Sequence, residues 1–338
     1  MNRLVSIWIA VVLSFYWFNL VWTVPCSNIN NHLTEWMFKA RAKGGDFRDM
    51  FPHLKNRIAG LWLAGRLVDW CCNDGGTWVR PMLTTEGGKV VPLGAPEASS
   101  TYRTAFAGYF TFWLAATFGL LIIFLPRPLL PIALVFAGLI GVLADPFDVT
   151  LYPWTVSAMF FFTLSALLWS RGSLWWMLLT MLIGMLFRET VAVTAFLFLF
   201  MDKSWRQRLS WFVFAVVLCI ELKCLVTQLV LGHMQWFVYM THEAGHSIWY
   251  NNIGEMIHPS HLWPGLVDGG LLLLALWLPS LTRQSIGFKW LIAIFLSGLF
   301  FAGAWTGFNE FLEPLPIASI LVTAAANTPS KINPPNAG

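Results

Sequence analysis

Charged side chains are scarce in this chain. They account for 11% of its 338 residues, while 57% of the residues are hydrophobic. An average soluble domain is about one quarter charged, so this composition excludes an ordinary soluble enzyme and indicates that the solvent is lipid. Tyrosine is also rare, with 6 residues against 20 tryptophans and 28 phenylalanines. The tryptophan excess suits a bilayer, because the indole ring is stable at the headgroup boundary.

A basic patch is missing as well. The net charge is +4, and the lysines and arginines lie in short connections between apolar runs. They form no stripe that could follow a phosphate backbone, so we expect no nucleic acid partner. Of the five cysteines, Cys26, Cys71 and Cys72 share one long segment. A bridge from Cys26 to either of the others and three free thiols are equally compatible with this placement.

Apolar runs recur along the whole chain. A membrane span needs about 20 predominantly apolar residues in a conformation that satisfies its own backbone hydrogen bonds. The sequence therefore predicts an all-α fold, a polytopic transmembrane helical bundle of about eight to ten spans, as a single integral membrane domain over residues 1–338. Two of the runs are short, and we expect re-entrant or tilted half-helices as the alternative there. The candidate spans are residues 4–24, 104–125, 129–144, 154–170, 173–187, 190–201, 209–231, 264–281, 290–307 and 314–326.

The connections between these runs alternate in charge. One set carries nearly all the basic residues and one acid, Asp202, whereas the other set contains a single arginine, no lysine and several carboxylates. Positive charge marks cytoplasmic connections, so the amino terminus is predicted to be cytoplasmic and residues 25–103 to form a long outer loop. Residues 327–338 are predicted to be a disordered cytoplasmic tail. The basic set comprises Arg3, Arg127, Arg171, Lys203, Arg206, Arg208, Arg283, Lys289 and Lys331.

The long outer loop contains one stretch with helical periodicity. From Leu54 to Trp70, apolar residues recur at helical spacing with basic residues between them. This pattern predicts an amphipathic helix near 54–70 that lies in the outer headgroup region. The chain from Cys72 to Tyr102 is polar and rich in glycine and proline, which predicts an irregular loop or a hairpin without a core of its own.

Ionisable residues next to apolar runs are candidate functional residues, because charge is costly at membrane depth. Asp145 and Asp148 flank Pro146, where they could cap the next helix or bind a ligand. Arg188 and Glu189 separate two apolar runs with no room for a loop. They predict either an ion pair that stabilises a helix break or an anion-binding arginine with a carboxylate partner.

Further acids follow the penultimate apolar run. Asn309, Glu310 and Glu313 lie between residues 307 and 314. For this group we favour a solvated helix end, with ligand binding as the alternative.

One string matches a metal motif. His242, Glu243 and His246 fit H-E-x-x-H, which on a helix places two imidazoles on one face as zinc ligands. Asp268 would be the third ligand, as in the site-2-type intramembrane proteases that this string resembles. Gly245 and the SIWYNN sequence after it favour an interfacial polar loop instead. We therefore expect no cofactor, and zinc is the alternative.

The order of several segments resembles a known group of proteins. GGDFRDMFPHLKNRIAGLWLA is followed by DPFDVTLYPWTVSAMFFFTLSALL, then by WWMLLTMLIGMLFRETVAVTAFLFL and finally by GFNEFLEPLP. Together they resemble bacterial polytopic proteins related to the GT-C glycosyltransferases, over most of residues 30–317. The resemblance implies a GT-C-like fold in the bacterial inner membrane and transfer of a sugar from a polyprenyl-phosphate donor at the outer face.

The resemblance also implies roles for particular residues. It makes Glu35, Asp46 or Asp49 the catalytic acid or base and Arg57 and Arg188 ligands of the donor phosphate. A carboxylate can deprotonate an acceptor hydroxyl, and a cation can stabilise the departing phosphate. The substrate-binding candidates are Arg57, Asp145, Asp148, Arg188, Glu189 and Glu310.

Two other functions fit the sequence. A non-catalytic subunit of a larger membrane complex would use the tryptophan-rich exterior to pack against other helices. A zinc-dependent membrane protease would use His242, His246 and Asp268. Under the transferase interpretation the partners are membrane lipid and a lipid-linked sugar, and under the subunit interpretation they are other membrane proteins.

Overall fold

The computed structural model describes residues 3–23, 58–71, 83–86, 89–92, 100–141, 154–231, 269–280, 282–302 and 312–327. These residues are helical apart from short connections and one antiparallel hairpin. The helices are α1 (Arg3–Thr23), α2 (Ile58–Cys71), α3 (Ser100–Phe124), α4 (Leu129–Gly141), α5 (Thr155–Ser170), α6 (Leu174–Phe187), α7 (Trp205–Leu231), α8 (269–277), α9 (Arg283–Ala302) and α10 (Leu315–Ala326). A 3₁₀ segment runs over Glu189–Phe200, and β1 (Leu83–Glu86) pairs with β2 (Lys89–Pro92).

The described helices coincide with the apolar runs, and the predicted helical class is confirmed for this part of the chain. Two helices are long and apolar enough to cross a membrane, over Ala107–Phe124 in α3 and Trp205–Leu229 in α7. Shorter apolar stretches of 10–17 residues lie in α1, α4, α5, α6, the 3₁₀ segment and α10. The described residues therefore contain two candidate membrane spans by length and composition, and the larger span count stays a prediction.

The connection between α5 and α6 is a tight turn that depends on glycine. Gly172 has a φ of 73°, a conformation that L side chains rarely adopt. Its N–H donates to the Trp169 carbonyl at 2.9 Å, and the Ser173 N–H donates to the Leu168 carbonyl at 3.0 Å. This pair of bonds is a Schellman motif, which satisfies the last carbonyls of α5 and reverses the chain.

Helix α5 is the centre of the bundle. Most of its residues are buried, and it packs against α3, α6, the 3₁₀ segment and α10. Gly184 of α6 permits the closest approach, because a Cβ there would lie 2.7 Å from both Phe161 Cβ and Val191 Cγ1. Trp113, Phe161 and Phe187 pack beside it, with ring centroids 4.9–5.4 Å apart. Small residues and ring contacts thus bring these helices close together.

The 3₁₀ segment is 12 residues long, and runs of this length in 3₁₀ geometry are uncommon. It packs against α5, α6, α7 and α9. Twelve residues rise about 24 Å in this geometry, against about 18 Å in an α-helix, so the segment reaches farther than its length suggests. It starts beside Arg188 and ends next to Asp202, which bonds to α9. The segment thus passes from one end of the bundle to the other, and the re-entrant or tilted half-helix alternative for residues 190–201 stays a prediction.

The short connections cluster at one end of the bundle, here called the basic end. Arg127 Nη1 donates to Asn327 Oδ1 at 3.2 Å, and the Arg171 guanidinium lies 4.8 Å from the centroid of the Phe124 ring. Arg283 Nη1 lies 2.9 Å from Asp202 Oδ1. Gln284 Nε2 donates to the Ser170 carbonyl at 2.8 Å. These contacts join the connections that the sequence assigns to the cytoplasm.

The opposite end of the bundle has its own set of contacts. Trp17 Nε1 donates to the Leu139 carbonyl at 2.8 Å, which joins the last turns of α1 and α4. Arg188, at the end of α6, pairs with Glu313 at the start of α10. Since α10 begins at this end and Asn327 contacts Arg127 at the other, α10 also passes from end to end. For the short run at 314–326, the re-entrant alternative likewise stays a prediction.

Candidate buried ion-pair site

A helix break places Arg188 inside the bundle. Helix α6 ends at Phe187, and Arg188 adopts an extended conformation with φ −156° and ψ 131°. Its N–H still donates to the Gly184 carbonyl at 2.9 Å, so the backbone remains bonded to α6 while the chain turns into the 3₁₀ segment. The Arg188 side chain is only 2% exposed. A cation so deeply buried requires a carboxylate partner or other strong acceptors.

Glu313 supplies that partner. Arg188 Nη1 lies 2.9 Å from Glu313 Oε1, and the Glu313 side chain is fully buried. Thr190 Oγ1 lies 2.8 Å from Oε1 and 2.7 Å from Oε2 of the same carboxylate, so its hydroxyl donates to Glu313. Glu313 also precedes α10, where a negative charge is favourable at a helix amino terminus. We call Arg188, Thr190 and Glu313 the ion-pair cluster.

The ion-pair cluster joins three elements that are far apart in sequence. It fixes the end of α6, the start of the 3₁₀ segment and the start of α10 to one another. Two ions lose their hydration in such a site, and the cost is recovered only through close mutual contact and further hydrogen bonds. The described structure shows Arg188 in this ion pair, and its predicted role as a ligand of the donor phosphate stays a prediction.

The ion-pair cluster differs from the sequence-based interpretation in two ways. Glu313 was expected at a solvated helix end, and this expectation is wrong because the side chain has no exposed surface. Thr190 was not singled out at all. Arg188 was expected to form an ion pair at a helix break or to bind an anion, and the structure forms the ion pair with Glu313. Glu189 is half-buried beside it.

Most of the other predicted site residues lie outside the described residues, so their predicted roles stay predictions. These residues are Glu35, Asp46, Asp49, Arg57, Asp145, Asp148, His242, His246, Asp268 and Glu310.

The first-loop helix reaches the end of the bundle that carries the ion-pair cluster. A Cβ placed on Gly60 of α2 would lie 3.2 Å from Cα of Trp154, immediately before α5. Helix α2 also packs against α3 and α6. The chain leading into α2 contains Arg57, Asp49 and Asp46. The close approach at Gly60 therefore places α2 against the start of α5, at the same end of the bundle as Arg188.

An apolar groove lies between α1 and α3. Its volume is about 610 Å³, and it is open along one side. Small residues of α3 form its floor, and aromatic side chains of both helices form its walls. The lining consists of Val11, Phe15, Asn19, Thr104, Ala107, Gly108, Thr111, Phe112, Ala115 and Ala116.

Among the described residues, no three histidine, cysteine, aspartate or glutamate side chains are grouped so that they could hold a metal ion. Comparison with known proteins gave no match to a family model, a curated protein or a solved structure. Any functional conclusion thus depends on the residues of this chain.

Breaking the buried pair from one side should destabilise the fold strongly. We expect Arg188→Met alone, or Glu313→Leu alone, to lower the free energy of unfolding by about 3–5 kcal/mol, because each leaves one buried charge without its partner. The double variant should recover most of that loss. Thermal and denaturant unfolding of the purified parent, the two single variants and the double variant in detergent measures these free energies.

Arg127→Met is the matched control, since Arg127 is exposed and bonds only to Asn327 through its side chain. It should change the unfolding free energy by less than about 1 kcal/mol. Single variants with the stability of the parent, or losses that simply add in the double variant, would show that the pair has no structural role.

Proposed function

We propose that the chain is a polytopic integral membrane protein. The described helices leave large apolar side chains in contact with the surroundings, and only 17% of the apolar stretch of α7 is buried. Val213, Phe214, Val217 and Ile220 are exposed on its outer side. In water this surface would be a large apolar patch that drives association, whereas in a bilayer it is the favourable state.

The basic end lies in the cytoplasm in this proposal. Arg127, Arg171, Lys203 and Arg283 all belong to connections at that end. Basic residues in short connections favour retention on the cytoplasmic side. The amino terminus is then cytoplasmic, the ion-pair cluster lies toward the outer face, and the membrane is a bacterial inner membrane.

Within that membrane, we propose that the protein transfers a sugar from a polyprenyl-phosphate donor at the outer face. The observation that carries this proposal is the packing of Gly60 against Trp154. It ties the helix that follows Asp46, Asp49 and Arg57 to the same end of the bundle as Arg188. A carboxylate and a cation near the outer face are the two groups that this reaction needs.

The proposed reaction assigns a separate task to each group. Glu35, Asp46 or Asp49 takes the proton of the acceptor hydroxyl as its oxygen bonds to the anomeric carbon of the sugar. The bond from that carbon to the phosphate oxygen breaks, and its electron pair leaves with the polyprenyl phosphate. Arg57 stabilises the negative charge on the departing phosphate. The ion-pair cluster holds α6 and α10 in position.

The remaining candidates would contact the sugar or the acceptor. Asp145 and Asp148 precede Trp154 in the chain, Glu310 precedes Glu313, and Glu189 follows Arg188. Each therefore adjoins a residue that lies at the outer end in this proposal.

The groove between α1 and α3 is a suitable place for the apolar chain of the donor. Its lining is almost entirely apolar, and it opens to the surface of the bundle. Gly108 faces this groove, and a Cβ placed on it would meet no atom within 4 Å. A polyprenyl chain in the groove would leave its phosphate near the polar residues Asn19 and Thr104.

Cysteine labelling tests the proposed orientation. In a variant with all five native cysteines replaced by alanine, His246→Cys should react with a membrane-impermeant maleimide in intact cells. Arg206→Cys should react only after the membrane is permeabilised, because the basic end faces the cytoplasm. The reverse labelling pattern would contradict the proposed orientation and exclude a reaction at the outer face.

Neutralising the first-loop acids tests the chemistry. Among Glu35→Gln, Asp46→Asn and Asp49→Asn, one variant should lower the turnover number by about 10²–10⁴, the contribution of general acid–base catalysis. The measurement is release of polyprenyl phosphate from synthetic polyprenyl-phosphate hexoses, with membrane extract as the acceptor. Asp202→Asn, an exposed acid at the basic end, is the control and should keep the parental rate. Parental rates in all three variants would contradict the assignment.

Filling the groove tests donor binding. Gly108→Phe should raise KM for the polyprenyl donor severalfold with little change in the turnover number. The reason is that the groove would bind the apolar chain equally tightly in the ground state and in the transition state. Gly119→Phe on the same helix is the matched control, because a Cβ at Gly119 also meets no atom within 4 Å but does not line the groove. Equal effects of the two variants would exclude the groove as the donor site.

A further inference from the structure

A second cleft lies at the basic end, far from the outer face of the proposal above. It has a volume of about 540 Å³ and is enclosed by the α5–α6 turn, the connection before α7 and the first turn of α9. Its lining combines polar and apolar side chains. These are Trp169, Ser170, Gly172, Leu174, Phe200, Met201, Asp202, Lys203, Thr282, Arg283 and Gln284.

The charge in this cleft is positive on balance. Lys203 and Arg283 line it together with one acid, Asp202. Asp202 is 99% exposed and pairs with Arg283 at 2.9 Å. Within the described part of the chain, no carboxylate pairs with the Lys203 ammonium group. Arg206 and Arg208 follow on the first turn of α7 and add positive charge nearby.

Helix ends increase the positive potential of the cleft. Helices α6 and α9 start at the cleft and present amino-terminal ends, which carry partial positive charge, and α7 starts two residues after Lys203. The carbonyl ends that also reach the cleft are partly covered. Gln284 Nε2 donates to the Ser170 carbonyl at 2.8 Å, and Arg208 Nε donates to the Lys203 carbonyl at 2.7 Å.

The cleft also has an apolar wall at the level where headgroups would lie. Trp169, Leu174 and Phe200 form its inner side. Around it, Trp175, Trp176 and Trp205 are exposed by 66%, 65% and 62%. Exposed tryptophans of this kind mark the boundary between hydrocarbon and headgroups. A ligand here would meet cations at the rim and apolar side chains within.

We propose that this cleft binds the headgroup phosphate of an acidic phospholipid from the cytoplasmic leaflet. The inference rests on the membrane placement proposed above, and it is independent of sugar transfer. Basic pockets between helices on the cytoplasmic side suit such headgroups. The phosphate lies between Lys203 and the amino-terminal end of α9, and the first part of an acyl chain packs on Trp169 and Phe200.

Native mass spectrometry of the full-length protein in detergent tests the proposal at physiological ionic strength. The protein is offered equal amounts of phosphatidylglycerol and phosphatidylcholine, and the retained lipid is counted. The parent should retain phosphatidylglycerol preferentially. Lys203→Gln should weaken that retention about fivefold, because a basic residue near an anionic lipid contributes about one kcal/mol. Asp202→Asn should strengthen it, since it removes the acid and releases Arg283.

Arg206→Gln is the matched control. It also removes one positive charge from the basic end, but Arg206 does not line the cleft. Its effect should be smaller than that of Lys203→Gln, because Arg206 does not line the cleft and solvent screens its charge more. Equal effects of these two variants, or no preference of the parent for phosphatidylglycerol, would overturn the proposal. Displacement of the lipid by an equal concentration of inorganic phosphate would do so too, because the site would then bind free phosphate. Sugar transfer is measured separately, so its absence would leave these outcomes unaffected.

Discussion

The ion pair between Arg188 and Glu313 is the constraint on which the arrangement of the bundle depends. It ties the end of α6, the 3₁₀ segment and the start of α10 together through one buried carboxylate that also accepts the Thr190 hydroxyl. Apolar helices in lipid gain little by packing against one another, since the surrounding chains are equally apolar. A buried charge pair has few alternative partners, so it selects one register among many with similar packing.

The ion pair lies at the end of the bundle opposite the basic end. There, the α2 helix of the first loop packs on Trp154. Toward the basic end, the turns are held by exposed arginines that bond to neighbouring connections.

The sequence predicted the positions of the helices well, because each one depends on a local run of apolar residues. The described helices from α1 to α10 fall on the predicted runs or overlap them. The run at 190–201 was the exception, since its residues form a 3₁₀ segment that the pattern of apolar residues does not distinguish from an α-helix. Its longer rise per residue explains how so short a run connects both ends of the bundle.

The candidate site was predicted only in part. Arg188 could be recognised from the sequence because a charge between two apolar runs has no solvent to reach. Its partner could not be recognised, since Glu313 is distant along the chain and follows two other polar residues that suggest a solvated end. By itself, the sequence determined the helical class, the apolar runs and the partition of basic residues, all of which follow from local composition. Only the tertiary structure decided which carboxylate meets Arg188, because that choice depends on how α6 and α10 pack.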